Sequence, residues 1–286
     1  MTRKMARDLN KLRLQLARQK GAPGIGAPIS YTRDYYRALV KYSEEIAEIL
    51  NETVIAAASE YNQAYGSIQD SVLDALTLAW QSFDRKIANL TGAKLALGVF
   101  EKSADGVDRF QRKKFLSNVK KAIGVDLGML VTEPNTQRAI ASAIDNNIGL
   151  IRSISGSYKE RANRIIQNAL TGGNDFTSLK KQLLDLGGFK EKFQGTEIRR
   201  AKTIARDQMQ KLTSAINEAR QTDAGVTHYY WDTANDERVR PSHAANDGER
   251  FAWASPPSTG HPGDDINCRC VARPDLRGLI DREGEL

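Results

Sequence analysis

The chain has 286 residues, 40% of them hydrophobic, which is enough to bury a core in one large or two modest domains and excludes a disordered protein. No apolar run reaches the ~18 residues that a membrane span needs, and the N-terminus lacks the apolar segment of a secretory signal. The two cysteines stand only two positions apart. They offer no disulfide framework, and this fits synthesis in a reducing cytoplasm.

The net charge of +7 is concentrated in the first 28 residues. These contain seven Lys or Arg residues against one Asp, a net charge of +6, so the rest of the chain carries +1. On a helical projection Met5, Leu9, Leu12 and Leu16 form an apolar stripe, and most of the basic residues lie off it. We therefore predict a basic amphipathic helix, followed by a Gly- and Pro-rich linker.

This arm, residues 1–28, has several possible roles. Its cations could neutralise DNA phosphates, its stripe could dock on a partner protein, or the helix could lie on an anionic membrane. The plainest alternative is a solvated helix that packs its stripe on the protein's own body. The candidate DNA-binding residues are Arg3, Lys4, Arg7, Lys11 and Arg18.

Two long helices are predicted after the arm. Apolar residues recur at three- and four-residue steps over residues 32–64, and again from Gly66 to Leu90, which is the pattern of helices that pack along a seam. A short Gly-containing turn between them predicts an antiparallel hairpin. We interpret its aromatic residues as part of the hairpin core rather than a ligand site.

Further helices follow. Residues 92–128 predict a charged helix with an apolar rib, and Pro134 suits the first turn of a helix that Gly156 is expected to end. Two shorter helices are predicted over residues 158–170 and 177–186. A long helix then begins near Thr196.

The period of the apolar pattern falls to two only after Gly225. Residues 226–231 and 267–273 then read as two partner strands. The predicted fold is therefore mainly α, with a long helical hairpin and helical bundle followed by a small C-terminal α+β domain with a short antiparallel sheet. The predicted domains are residues 1–28, 29–130 and 131–286.

Rare residues with metal-binding chemistry gather in the last quarter. Cys268 and Cys270 would share one face of the second strand, and His243 and His261 lie in the same stretch. Two imidazoles and two thiols are a donor set that tetrahedral zinc takes. The sequence thus offers His243, His261, Cys268 and Cys270 as a structural zinc site, with one zinc per chain. The alternative is two half-buried thiols in a packed strand beside a hydrogen-bonded His243.

Charged residues around this cluster suggest a network that holds the loops. We expect Asp236 to bridge the turn after Trp231, and Gly248 to form a left-handed turn after a short helix at His243. Arg238 and Arg240 are expected to pair with nearby carboxylates. The candidates for those carboxylates are Asp232, Asp264 and Asp265. The Pro- and Gly-rich loop of residues 254–265 has no core of its own and needs such fastening.

Catalysis is the competing interpretation of the same residues. A His243, Asn246 and Asp247 group beside two cysteines could serve a metal-dependent nuclease, which needs a general base and a metal-held phosphate oxygen. A His243 that binds metal is not free to act as that base. The chain also contains no nucleophile elbow, P-loop or H-E-x-x-H motif. We therefore predict that the protein is not an enzyme.

The order of motifs in the last quarter resembles the phage Mu protein F-like head morphogenesis family of minor capsid proteins. The resemblance covers roughly residues 135–275 and includes lead-in segments at residues 146–151 and 200–207. Two departures are Gln208-Met209 and Ala245-Asn246, where the family pattern has other residue types. The residues of the motif are Trp231, Asp236, Arg238, Arg240, His243, Asp247, Gly248, Pro262, Asn267, Cys268, Arg269 and Cys270.

The resemblance implies a function. It points to a minor capsid protein of a tailed bacteriophage, made in the host cytoplasm and located in the virion inside the head near the portal vertex. There it would act in head assembly, DNA packaging or genome delivery. The implied partners are the portal protein, phage DNA and a scaffold or major capsid protein, with oligomers on the portal. A metal-dependent nuclease and a membrane-acting ejection protein remain the alternatives.

Overall fold

The structure is a computed structural model that describes residues 24–65, 70–124, 128, 134–172, 176–187 and 196–277. Seven long or medium helices precede a small sheet in these ranges. The helices are α1 (Ile29–Leu50), α2 (Ala56–Tyr65), α3 (Asp70–Ala88), α4 (Gly92–Ile123), α5 (Pro134–Gly172), α6 (Phe176–Gly187) and α7 (Thr196–Asp223). The fold class predicted from the sequence is confirmed.

The C-terminal part contains three strands and one short helix. They are β1 (His228–Asp232), α8 (Pro241–Ala244), β2 (Arg250–Ala252) and β3 (Val271–Pro274). None of the helices in the described ranges is both long enough and apolar enough to cross a bilayer. The basic arm, with its candidate DNA-binding residues, falls almost entirely outside the described residues.

The chain divides into two compact units that are discontinuous in sequence. We call them the helical unit, formed by Arg33–Glu101 and Asp145–Arg206, and the sheet unit, formed by the described parts of Met1–Thr32, Lys102–Ile144 and Asp207–Leu286. The unit limits fall inside helices α1, α4, α5 and α7. The domain limits given by the sequence stay a prediction.

The helical unit contains the predicted hairpin. One stripe of α1 is fully buried, and its Tyr35 hydroxyl donates a 2.5 Å hydrogen bond to Asn147 Oδ1. Burial raises the pKa of Tyr35 well above its ordinary value. After α1 the chain makes one π-helical turn, Asn51–Ile55, against which α3 packs. Lys86 reaches Glu52 across this contact at 3.5 Å.

Helix α5 runs without a break from Pro134 to Gly172, so the prediction that Gly156 ends a helix is wrong. A glycine inside a helix costs about 1 kcal/mol relative to alanine. Ile154 and Tyr158 are fully buried on either side of it. Burying one such side chain contributes about 1.5–3 kcal/mol, so packing outweighs the low helix propensity of glycine.

The sheet unit is built on helix α7. Its sheet is antiparallel with the order β2-β1-β3. Asn217 and Gln221, one turn apart on α7, both donate hydrogen bonds to the Ala272 carbonyl of β3, at 2.9 and 3.0 Å. These two buried amides fix the sheet on the helix.

A second contact joins α7 to α4 within the sheet unit. Arg220 is buried and pairs with Asp108, and its guanidinium also donates to Gln111 Oε1 at 3.4 Å. The Gln111 amide in turn donates to the Thr213 carbonyl at 3.0 Å. An apolar cluster joins α4 to the segments just before α1, before β1 and after β3. It consists of Ile25, Phe115, Val119, Ile123, Val226 and Leu276.

The strand limits differ from the predicted ones. The first strand begins at His228 rather than residue 226, and the last begins at Val271 rather than residue 267. Asn267 has a left-handed backbone with φ of 57°, and the next amide closes a turn on Asp265, so the two cysteines precede the strand. The alternation of buried and half-buried residues from Cys268 to Arg273 is nevertheless as predicted. The short strand β2 was not predicted.

We expect Gly156→Ala to stabilise the protein by about 0.5–1 kcal/mol, because alanine favours the helix and a Cβ there meets no atom within 4 Å. Urea unfolding followed by circular dichroism measures this. The control is Gly92→Ala in the same unit, which brings a Cβ to 2.7 Å from the ring of buried Tyr42 and lowers stability. A destabilised Gly156→Ala variant would contradict a continuous α5.

Candidate functional site

His243 stands at the centre of the C-terminal loops. Pro241 opens the short helix α8, and this turn carries the imidazole into the core of the sheet unit. The ring is buried and meets Trp231 of β1 edge-on, with centroids 5.3 Å apart. Its Nε2 lies 2.9 Å from Asp265 Oδ2. The imidazole therefore contacts the sheet on one side and the loop before β3 on the other.

The other ring nitrogen faces the two thiols. His243 Nδ1 is 3.5 Å from Cys268 Sγ and 3.6 Å from Cys270 Sγ. Both cysteines are free and buried, and they pack with Tyr229, Trp231 and Ala272 in one cluster. The structure thus brings three of the four predicted metal ligands together, with their ligand atoms within 4.8 Å of one another.

The two thiols differ in acidity. The pKa of Cys268 is lowered to about 5, first because the Cys270 thiol donates a hydrogen bond to its sulfur, and further by the backbone N–H of Gly263 at 3.4 Å. The pKa of Cys270 is raised, because it is the donor in that bond and is also desolvated. The opposite shifts of the two pKa values thus share one main cause, the hydrogen bond between the sulfurs.

His261 is not part of this group, so the structure does not support it as the fourth ligand. Its Nδ1 lies 2.9 Å from the Tyr229 hydroxyl, and its ring packs on Trp253 with centroids 5.0 Å apart. Its backbone N–H donates to Asp264. The chain turns at Pro262 and Gly263, which directs His261 toward these aromatic residues and away from the sulfurs.

Asp236 and Arg269 form a two-bond ion pair in the loops. The two terminal nitrogens of the Arg269 guanidinium donate to the carboxylate, each at 2.5 Å, which is the bidentate geometry of arginine with a carboxylate. Arg238 adds a backbone bond at 3.1 Å and a longer side-chain bond at 3.4 Å. The hydrogen bond from Arg269 is the largest cause that lowers the pKa of Asp236.

The other arginines follow the predictions only in part. Arg240 lies near Asp265, as expected, at 3.8 Å, and also donates to the Ile266 carbonyl at 2.8 Å. Arg238 pairs with Asp236 instead of the expected carboxylates. Asp232 is taken by Arg273, at 3.1 and 3.2 Å. Arg269 and Arg273 therefore form ion pairs of the kind that the sequence predicted for Arg238 and Arg240.

Asp247 and Gly248 close the loop between β1 and β2. Asp247 Oδ1 accepts the backbone N–H of Thr233 at 2.8 Å and its hydroxyl at 2.9 Å. Gly248 has a φ of +77°, and its N–H donates to the Trp231 carbonyl at 2.8 Å. The predicted left-handed turn at Gly248 is confirmed. These contacts hold the end of the loop against the end of β1.

The loop before β3 also rests on helix α7. Gly263 has a φ of +99°, and a Cβ there would lie only 1.9 Å from Ser214 Oγ, so the loop backbone touches the helix. The Asn267 N–H donates to Asp207 Oδ1 at 2.8 Å. This contact was not predicted, because the two residues are sixty positions apart in the sequence.

A second carboxylate that the sequence missed is Asp275. It is buried and accepts 2.7 Å bonds from Arg250 and Arg277. Burial alone would raise its pKa, but these hydrogen bonds outweigh burial and lower the pKa to about 2. The pair with Arg250 ties β2 to the end of β3, two strands that do not neighbour each other in the sheet.

Comparison with known proteins shows what this region is similar to. Residues 161–273 match the family described as "Phage Mu protein F like protein". We call residues 161–273 the phage Mu F-like region, after the family to which they are similar. The resemblance predicted from the sequence is confirmed, with a later beginning than the expected residue 135. All residues of the quoted motif fall inside the match.

A curated relative extends the likeness. An uncharacterized protein of Haemophilus influenzae is 40% identical over 162 residues, which is 56% of this chain and 35% of that protein. The chain therefore spans only about a third of the relative's length. No solved structure matches the chain.

We expect Arg269→Lys to lower the thermal midpoint of the phage Mu F-like region clearly, because an ammonium cannot reproduce two parallel bonds to Asp236. Differential scanning fluorimetry measures this. Arg238→Lys is the matched control, since Arg238 reaches the same carboxylate by one long, exposed contact, and its midpoint should hardly change. Equal effects of the two substitutions would refute the bidentate pair.

The lowered pKa of Asp275 predicts that the protein becomes less stable in acid. Its folded pKa of about 2 lies below the ordinary value of 3.8, so the ionised carboxylate stabilises the fold above about pH 4, and this stabilisation is lost as the pH falls toward 2. In urea titrations Asp275→Asn should be less stable at neutral pH and should lose less on acidification. Arg250→Met should lie between the two. Parallel pH profiles for wild type and Asp275→Asn would argue against this coupling.

Proposed function

We propose that this protein is a minor capsid protein that acts in head morphogenesis of a tailed bacteriophage. The match of residues 161–273 to the phage Mu F-like family supports this at the family level. The arrangement of the motif residues inside that region supports a structural role. Arg269 and Asp236 hold the segment before β3 to the turn after β1, and Asp207 holds the same segment on helix α7.

The contacts of His243 are the observation on which the structural role chiefly rests. A general base needs a ring nitrogen that can reach substrate. Both nitrogens of His243 face protein groups, Asp265 on one side and the two sulfurs on the other, and the ring is 2% exposed. Asp247 is exposed, and its Oδ1 accepts two hydrogen bonds from Thr233 that close the loop. These residues serve as structural supports for the loops.

We place the protein inside the head near the portal vertex, in association with the portal protein. There it assists head assembly, DNA packaging or genome delivery, and oligomers on the portal, with contacts to a scaffold or major capsid protein, belong to the same proposal. The charge distribution supports an interior position. The arm carries +6 of the total +7, and a cationic arm suits a compartment filled with DNA phosphates.

The first test is co-purification. We expect particles of the phage or prophage that encodes this chain to contain the protein, and the tagged full chain to retain the portal protein from a mixture of head proteins. Quantitative mass spectrometry of purified particles and a pull-down measure the two. Absence from particles together with no portal retention would overturn the proposal. Divalent-dependent DNA cleavage that is lost in His243→Ala would favour the nuclease instead.

The tagged full chain also tests whether the arm binds DNA. A matched variant replaces Arg3, Lys4, Arg7, Lys11 and Arg18 with Gln, which keeps the apolar stripe and removes five charges. If all five side chains contact phosphates, a plot of the logarithm of wild-type DNA affinity against the logarithm of salt concentration should have a slope of about −4 to −5. The variant should lose this slope but keep the portal. Unchanged DNA binding, or binding of the arm to anionic liposomes alone, would remove DNA from the proposal.

A further inference from the structure

We propose that His243, Cys268 and Cys270 bind one Zn²⁺ ion, through one imidazole nitrogen and two sulfurs. The distances support this. A tetrahedral zinc ion lies about 2.3 Å from sulfur and about 2.0–2.1 Å from nitrogen, which places each nitrogen–sulfur pair about 3.5–3.6 Å apart. His243 Nδ1 lies 3.5 Å from one sulfur and 3.6 Å from the other.

The chemistry of the donors selects the metal. Sulfur and imidazole ligands in a tetrahedral arrangement favour zinc over the hard ions magnesium and calcium, which take oxygen ligands. The ligand atoms are buried in the core of the sheet unit, between Trp231 and the turn at Gly263. An ion held by these three side chains would link helix α8 to the segment that enters β3, and its binding would add to the stability of the fold.

Asp265 holds the imidazole in the orientation that binding requires. Its carboxylate lies 2.9 Å from Nε2, so the ring proton belongs on Nε2 and the lone pair on Nδ1 points at the sulfurs. A carboxylate on the far nitrogen of a ligand histidine is the usual outer partner of zinc sites. Edge contact with Trp231 at 5.3 Å fixes the ring plane. Asp265 is thus a positioning residue rather than a ligand.

A small cavity provides the fourth position. It is lined by all three ligands together with Asn267, Arg240 and Val239, and its volume of about 20 Å³ has room for one water molecule. Among the described residues, Asn267 Oδ1 is a buried side-chain oxygen without a hydrogen-bond partner. A zinc-bound water in this cavity would donate to it. One water therefore completes the coordination and satisfies this oxygen.

The site does not depend on the proposed role in the phage head. It joins α8 to the segment that enters β3, and its loss should loosen both loops whether or not the protein meets a portal. Failure of zinc binding would leave the capsid proposal in place, and failure of portal retention would leave the zinc proposal in place.

The test is metal analysis of the purified full chain. After incubation with equimolar zinc and dialysis, we expect about one zinc per chain by inductively coupled plasma mass spectrometry. Cobalt in place of zinc should give the charge-transfer absorption of thiolate ligands and the visible bands of a tetrahedral ion. Because cobalt reports on the wild-type protein, this result does not depend on whether variants fold.

The variants separate the ligands from their neighbours. Cys268→Ser and Cys270→Ser should lose the thiolate bands wholly or in part, and Asp265→Asn should lower zinc affinity by about 10–100-fold. His261→Ala is the control and should keep one zinc, since its ring lies on Tyr229 and Trp253. Folded wild-type protein that binds neither zinc nor cobalt would overturn the proposal and leave the two sulfurs as hydrogen-bond partners of His243. Zinc lost equally in His261→Ala would also overturn the assigned ligand set.

Discussion

The C-terminal loops depend on the contacts of one buried imidazole. Between β1 and β3 most of the chain is irregular, with too few apolar side chains to form a core of its own. His243 packs against Trp231 on the sheet, takes Asp265 on one nitrogen and faces Cys268 and Cys270 with the other. Strand β1, helix α8 and the segment before β3 thereby meet at one ring, and the remaining contacts are arranged around it.

Arginine–carboxylate pairs extend this support to the surface of the region. Arg269 and Asp236 join the segment before β3 to the turn after β1, whereas Arg250 and Asp275 join the two outer strands. Charge-assisted bonds of this kind are shorter and stronger than neutral ones, and they replace the apolar packing that the loops lack. Helix α7 provides the platform beneath, because it touches Gly263 and accepts the N–H of Asn267.

The sequence predicted features that depend on local periodicity. The helical hairpin, the alternating burial that places Cys268 and Cys270 together, and the turn at Gly248 all follow from spacing or from backbone preference. Features set by distant partners did not follow. Strand β2 has only three residues and exists because it pairs with β1. His261 departs from the thiols because of the turn at Pro262, and the carboxylate of Asp207 meets Asn267 only after α7 is in place. Gly156 looked like a helix end, because helix propensity does not include the packing of its neighbours Ile154 and Tyr158.

A rigid, internally fastened region is what a protein built into a phage particle needs, and this is the physical content of the proposed function. Amide hydrogen exchange on the full chain tests it most directly. The loop amides of Gly263, Asn267 and Cys268 each donate to a named partner, so they should exchange as slowly as the amides that pair β1 with β3. Exchange of these three amides at the rate of an unstructured peptide, while the strands stay protected, would contradict the account.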